Sequence, residues 1–203
     1  MNSGVRIMGI DPGTNYMGYG ILEIVEGAPQ AIVLGDIDLH KIGNAHQKLR
    51  YIFERVQALV MEYHPQEVAF ESPFFGTNVQ SMLKLGRAQG VAIAAVLSAS
   101  EDISIAEYAP TRIKQAITGR GQASKEQIAA MINTMLKTDY KPRRLDATDG
   151  MAVALCHWLT TSNTLTRLTA GEKRKGLGGD SKARKGSSSW EQFVEANPNR
   201  VKK

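Results

Sequence analysis

The sequence predicts an α/β protein built on a five-stranded mixed sheet with helices on both faces. Three observations carry this. Residues 5–11, 17–25 and 30–39 read as three consecutive strands joined by short turns containing Gly or Pro, hence an antiparallel meander. Two further short strands, 67–71 and 103–107, each follow a long helical pattern, which implies parallel pairing for the later strands. The helical stretches repeat apolar residues every three or four positions, as in Leu49, Ile52, Phe53, Val56, Leu59 and Val60.

The elements follow in the order βββαβαβααα. The first strand is an apolar run that ends in Asp11 and turns at once through Pro12 and Gly13. The glycines around it leave room for something large to approach. Asn44 can cap a helix that runs to about residue 63. The strand 67–71 reads Glu-Val-Ala-Phe-Glu and gives way to the loop 72–77. A helix rich in Ala and Gly runs over about 78–99. Pro110 sits at the first turn of a short helix. Ser124 caps the next, about 125–137, with Gln127 completing a capping box. Asp146 begins a last helix that runs to about residue 161.

The 203 residues suffice for one domain of ordinary size plus a tail. Residues 1–162 are expected to form the folded domain. Residues 163–203 are expected to form a flexible basic tail, since 171–189 are almost entirely Gly, Ser, Lys and Arg. Trp190 and Phe193 stand in that tail, either as a short docking segment for a partner or for DNA, or as part of a weakly ordered end. The longest apolar stretch, 91–97, is too short to span a bilayer, and no secretory signal is visible. The lone Cys156 excludes an internal disulfide and reads as a reduced, buried thiol. A cytoplasmic location without membrane contact is the expectation.

The net charge of +5 is unevenly placed. Residues 160–203 carry ten Lys/Arg against four Asp/Glu, while residues 1–159 carry fifteen against sixteen. Within that near-neutral body, residues 112–144 hold eight basic side chains, among them Arg112, Lys114, Arg120 and Lys125, against Glu126 and Asp139. A basic band beside clustered acids suits a polyanionic partner guided to a metal site; each single Lys also fits a solvated helix face.

Four acids stand at element ends. Asp11 ends the first strand, Glu71 ends the fourth, and Asp146 and Asp149 open the last helix at i and i+3, on one side. If the first and fourth strands are neighbours, their ends meet and a helix start can close the site. Four carboxylates in one pocket need cations, and oxygen ligands without His or Cys select Mg²⁺ or Mn²⁺. Each acid also has a plainer reading: a turn former, a strand-end surface charge, an N-cap, a first-turn acid.

The segments GIDPGTNYMGYGIL (9–22), VAFESPFF (68–75), SMLKLGRAQGVAIAA (81–95), YAPTRIKQAITGRGQASKEQI (108–128) and LDATDGMAVALCHW (145–158) together resemble the RuvC family of Holliday junction resolvases, which have an RNase H-like fold. They cover most of residues 5–160 in the family's order, and the resemblance is not carried into the tail beyond about 165. It implies that Asp11, Glu71, Asp146 and Asp149 are the metal-binding catalytic residues. It implies that Phe74 acts on the junction near its crossover and that Lys114 and Lys125, with Arg112 and Arg120 of the same segment, contact DNA. The implied activity is an endonuclease that makes paired symmetric nicks in four-way DNA junctions during recombination and repair. Two Mg²⁺ per site, replaceable by Mn²⁺, would assist hydrolysis and leave 5′-phosphate and 3′-hydroxyl ends.

A homodimer is implied by the two-fold symmetry of the substrate. Small residues of the 78–99 helix (Gly86, Ala88, Gly90, Ala92, Ala94, Ala95) give a candidate dimer surface, or else contacts with the chain's own sheet. The family also implies a branch-migration complex, RuvA and RuvB, as partner. Two other readings share the core topology. Asp-Pro-Gly-Thr also resembles the phosphate loop of actin-like ATPases, but the second lobe those proteins need is lacking. The other is a different RNase H-like nuclease, such as one that processes ribosomal RNA; a non-catalytic junction-binding protein is a third alternative, against which the intact set of four acids argues.

Overall fold

The computed structural model describes residues 4–72, 78–141 and 145–172. Strands β1 (Val5–Asp11), β2 (Tyr16–Val25) and β3 (Ala28–Asp38) precede α1 (Ala45–Tyr63), β4 (Glu67–Glu71), α2 (Val79–Ala99), β5 (Ser104–Tyr108), α3 (Pro110–Thr118), α4 (Lys125–Leu136) and α5 (Asp146–Glu172). The sheet order is β3-β2-β1-β4-β5. β1 pairs antiparallel with β2, and β2 with β3; β1 pairs parallel with β4, and β4 with β5. This is the mixed five-stranded sheet expected, with β1 at its centre.

The central position explains the composition of β1. Ile7, Met8, Gly9 and Ile10 are all buried, because both faces of the strand are covered. Met8 and Ile10 face a core completed by Ile52 and Val56 of α1 and Ala92 and Val96 of α2. Ile7 faces the opposite core, with Ile113 of α3, Ile128 of α4 and Met151 and Leu155 of α5. Each fully buried Ile, Leu or Phe contributes about 1.5–3 kcal/mol, so the two faces together fix the register of β1.

Helix starts follow their caps. Asn44 and Ser124 both form complete capping boxes, with Gln47 and Gln127. Glu26 and Gly27 both take positive φ, 52° and 79°. That tight reversal lets β3 begin at Ala28, two residues earlier than its sequence suggests. The last helix runs on past its expected end near residue 161 to Glu172. No Pro or Gly interrupts 162–170, so nothing local stops it. One compact unit closes at Leu165. The tail segment with Trp190 and Phe193 lies outside the described residues.

The small residues of α2 divide between two roles. Ala88, Ala92 and Ala95 are buried in the chain's own core. Gly86, Gly90 and Ala94 stay on the outer face, with Val79, Leu83 and Leu97 also exposed there. By length and mean hydropathy alone α2 would also pass as a membrane span, a result the sequence reading did not anticipate.

Candidate active site

Parallel pairing of β1 with β4 sets Ile10 opposite Phe70, so Asp11 and Glu71 leave the sheet side by side. The helix that brings the other two acids is seated by glycines. A side chain at Gly9 would strike the backbone of Gly150 and Ala154, and one at Gly18 the carbonyl of Asp146. At Gly20 it would come within 2.6 Å of the Cα of Met151. On the helix side, a side chain at Gly150 would meet the backbone of Tyr19. The first two turns of α5 therefore lie directly on the backbone of β1 and β2. This corrects the expectation that these glycines clear space for an incoming ligand: what they admit is the chain's own helix. Gly13 closes against the carbonyl of Tyr16 and is likewise filled by the turn itself.

The result is a pocket of about 190 Å³ lined by Asp11, Glu71, Asp149, Lys114 and Lys125, with Ile113 and Ile128 below. Lys125 Nζ donates to Asp149 Oδ2 and lies 3.8 Å from Asp146 Oδ1. Of the sequence-predicted residues, Asp11, Glu71, Asp149 and these two lysines thus line one pocket, and Asp146 stands at its margin beside Lys125. Arg112 does not join them: its guanidinium reaches Thr160 Oγ1 on α5 at 3.5 Å. Arg120 sits in the turn after α3, its backbone N–H donating to Thr118 Oγ1, and does not line the pocket. Neither was separable by spacing, since both share the basic band. Phe74, with Arg143 and Arg144 of that band, lies outside the described residues.

The electrostatics are those of a site short of positive charge. Burial, then the charges of Glu71 and Asp149, hold the carboxyl of Asp11 well above its ordinary range. Burial, then Asp149, pushes Glu71 up to about 7. Burial also raises Asp149, although its bond to Lys125 works the other way. At Lys125 burial opposes the charge, but the bond to Asp149 and the nearby acids outweigh it, and its pKa is raised. Among the described residues no three His, Cys or carboxylate side chains close on one point as a finished metal cage does. The ammonium of Lys125 stands beside Asp149 and Asp146 instead.

Sequence reasoning missed one buried network. His157, on α5 and 6% exposed, sits between Glu67 and Tyr108: Nε2 is 2.7 Å from Glu67 Oε2, and Nδ1 is 2.8 Å from the Tyr108 hydroxyl. It ties α5 to β4, which pairs with β1, and to β5, the edge strand beyond it. The signal was present as a His eight residues after Asp149, but its partners lie 49 and 90 residues away. Cys156, beside it, is fully buried, and burial pushes its thiol up to about 11, as befits an inert core residue.

A family model described as crossover junction endodeoxyribonuclease RuvC matches residues 7–157. A protein of that name from Bacteroides fragilis is 52% identical over 199 residues, covering 97% of this chain and 95% of the relative. The structure of Thermus thermophilus RuvC superposes with a TM-score of 0.70 at 26% identity, covering 79% of this chain and 97% of that one. Thermus thermophilus RuvC in complex with Holliday junction substrate gives 0.69 at 25% identity, covering 78% of this chain and 96% of that one. A likeness over 97% of the chain reaches past residue 165, where the sequence reading had ended it. The Gly-, Ser- and Lys-rich tail offers no motif by which to see it.

Proposed function

This chain belongs to the RuvC family of crossover junction endodeoxyribonucleases, and from that premise we infer that it cuts four-way DNA junctions at the pocket on the end of β1. The observation that carries the reading is the meeting of Asp11, Glu71 and Asp149 with Lys114 and Lys125. An all-carboxylate donor set suits a hard divalent cation. The raised pKa values of Asp11 and Glu71 are what closely set, buried acids show when no cation offsets them. Asp11, Glu71, Asp146 and Asp149 would hold Mg²⁺, two ions in the fullest form of the site, with Mn²⁺ able to substitute. When bound, such ions polarise a water for attack and offset charge on the phosphate and the leaving oxygen.

The chain's own groups do the positioning. Asp11, on the most constrained strand, fixes the centre of the site. Lys114 and Lys125 place ammonium groups toward a phosphodiester and offset charge that builds on its oxygens as the bond breaks. Lys125 must leave Asp149 to do so, so substrate entry exchanges one ion pair for another. Cleavage of the P–O3′ bond gives 5′-phosphate and 3′-hydroxyl ends. The unit that closes at Leu165 supplies all of these groups. Phe74 acts at the crossover of the junction.

Two matched cuts need two sites, and a two-fold dimer supplies them. The outer face of α2, with Val79, Leu83, Gly86, Gly90 and Leu97, is the surface for a second copy. The family reading adds RuvA and RuvB as partners and the cytoplasm as the place of action. The test uses a synthetic four-way junction, a linear duplex and an RNA–DNA hybrid, each with and without Mg²⁺. Paired symmetric nicks on the junction alone, and only with the metal, are expected. Cleavage of the hybrid in preference to the junction would remove this reading.

A further inference from the structure

A second cationic cleft lies on the other helical layer. Thr14 and Asn15, in the turn that follows Asp11, meet α1 and α2 around a cavity of about 250 Å³. Lys48, Lys84 and Arg87 line it, and no acid does. Lys48 is already committed: its Nζ donates to the Thr14 carbonyl at 3.0 Å and to Asn15 Oδ1 at 3.3 Å. Lys84 and Arg87 are exposed and make no ion pair with the described residues. These cations come from segments 36 or more positions apart, so no basic run in the sequence announces them.

We propose that this cleft binds a backbone phosphate of the DNA arm being cut, gripped by Lys84 and Arg87 at the turn of Thr14. Chain geometry sets the distance. Thr14 is three positions after Asp11, at most about 11 Å of extended chain. Along one strand the phosphates advance about 3.4 Å per nucleotide. The turn that carries Thr14 is therefore within a few nucleotides' length of the acid that ends β1. Arg87 offers a planar fork that matches two phosphate oxygens, and Lys84 adds a mobile point charge. The two clefts draw on opposite helical layers of the sheet: α3, α4 and α5 supply Lys114, Lys125 and Asp149 to the first, beside Asp11 and Glu71 at the strand ends, while α1 and α2 supply the cations of this one. DNA crossing the end of β1 is thus held from both sides.

The inference rests on the reading of the first pocket as a junction nuclease, and its test is kept separate from cleavage. Binding of a synthetic four-way junction is followed by fluorescence anisotropy in EDTA over a range of salt concentrations, for the full chain and for K84Q/R87Q. Loss of the phosphate contact should flatten the plot of log K against log salt by about one unit. The charge-conserving K84R should keep the wild-type slope, which separates charge from folding. An unchanged slope in K84Q/R87Q overturns the proposal. So does a changed sedimentation coefficient with an unchanged slope, which would assign these residues to a contact between copies. A wild-type protein that binds junctions but never nicks them would remove the nuclease reading and leave the cleft standing.

Discussion

At the scale of the residue, the strongest claims concern charge. Asp11 is half-buried beside two other acids, and its carboxyl is held well above its ordinary range by desolvation and by Glu71 and Asp149. Asp11→Asn removes that charge without adding bulk. Cleavage of a four-way junction should be abolished, while affinity for the junction measured in EDTA should be kept or slightly raised, since one repulsive charge is gone. A gel shift showing lost binding would assign Asp11 to structure and not to catalysis. Lys125 makes a second, opposite prediction. Its ammonium now sits where a cation would, bonded to Asp149 and near Asp146. Lys125→Met should lower single-turnover cleavage by about 10²–10³-fold, through loss of a donor to the developing charge. The same change should lower the Mg²⁺ concentration at half-maximal rate, because the competitor is gone. A higher requirement for Mg²⁺ would show that Lys125 supports the metal and does not compete with it.

At the scale of the element, the site depends on how closely α5 lies on the meander. Glycines on β1, β2 and α5 permit that contact, and His157 pins the same helix to Glu67 and Tyr108 further along. Gly9→Ala introduces a methyl group that must push against the backbone of Gly150 and Ala154, neither of which can rotate away. Overpacking of this kind costs about 1–3 kcal/mol, so Tm should fall by several degrees. Cleavage should fall more than folding alone explains, since the displaced helix carries Asp146 and Asp149. A Gly9→Ala protein with wild-type Tm and rate would show that α5 is not seated there. Much of this was legible in the sequence. Capping residues located α1 and α4, the Glu-Val-Ala-Phe-Glu run located β4, and the i, i+3 spacing put both acids at the start of α5. The glycines were legible as close-approach positions, but not what approaches. A missing Cβ states only that space is needed, and the occupant is decided by tertiary packing. The same limit hid His157 and the Lys84–Arg87 cleft, whose partners are distant in sequence.

At the scale of the whole molecule, local charge becomes stability. The mixed sheet order was legible, because a meander followed by two helix–strand units leaves few ways to bring β4 beside β1. That adjacency forces acids together and ties folding to pH. Glu71 has a carboxyl raised from 4.5 to about 7, chiefly by burial and then by Asp149. Between those two values the folded chain holds a proton that the unfolded chain has released. Stability therefore falls as pH rises through this window. Asp11 and Asp149 are shifted in the same direction and add to the trend. In EDTA, Tm should rise as the pH is lowered from 8 to 6, and Glu71→Gln should flatten that rise. A divalent cation reverses the balance, since it binds the deprotonated carboxylates and must displace protons to do so. Mg²⁺ should thus raise Tm more at pH 8 than at pH 6, by RT ln(1 + [Mg²⁺]/Kd) with Kd falling as the acids ionise. Thermal melts across pH 6–8, with and without Mg²⁺, measure both effects. If Tm in EDTA climbs with pH instead, the acids are not crowded in the folded state. The pocket on β1 would then lack the excess negative charge on which the metal reading depends.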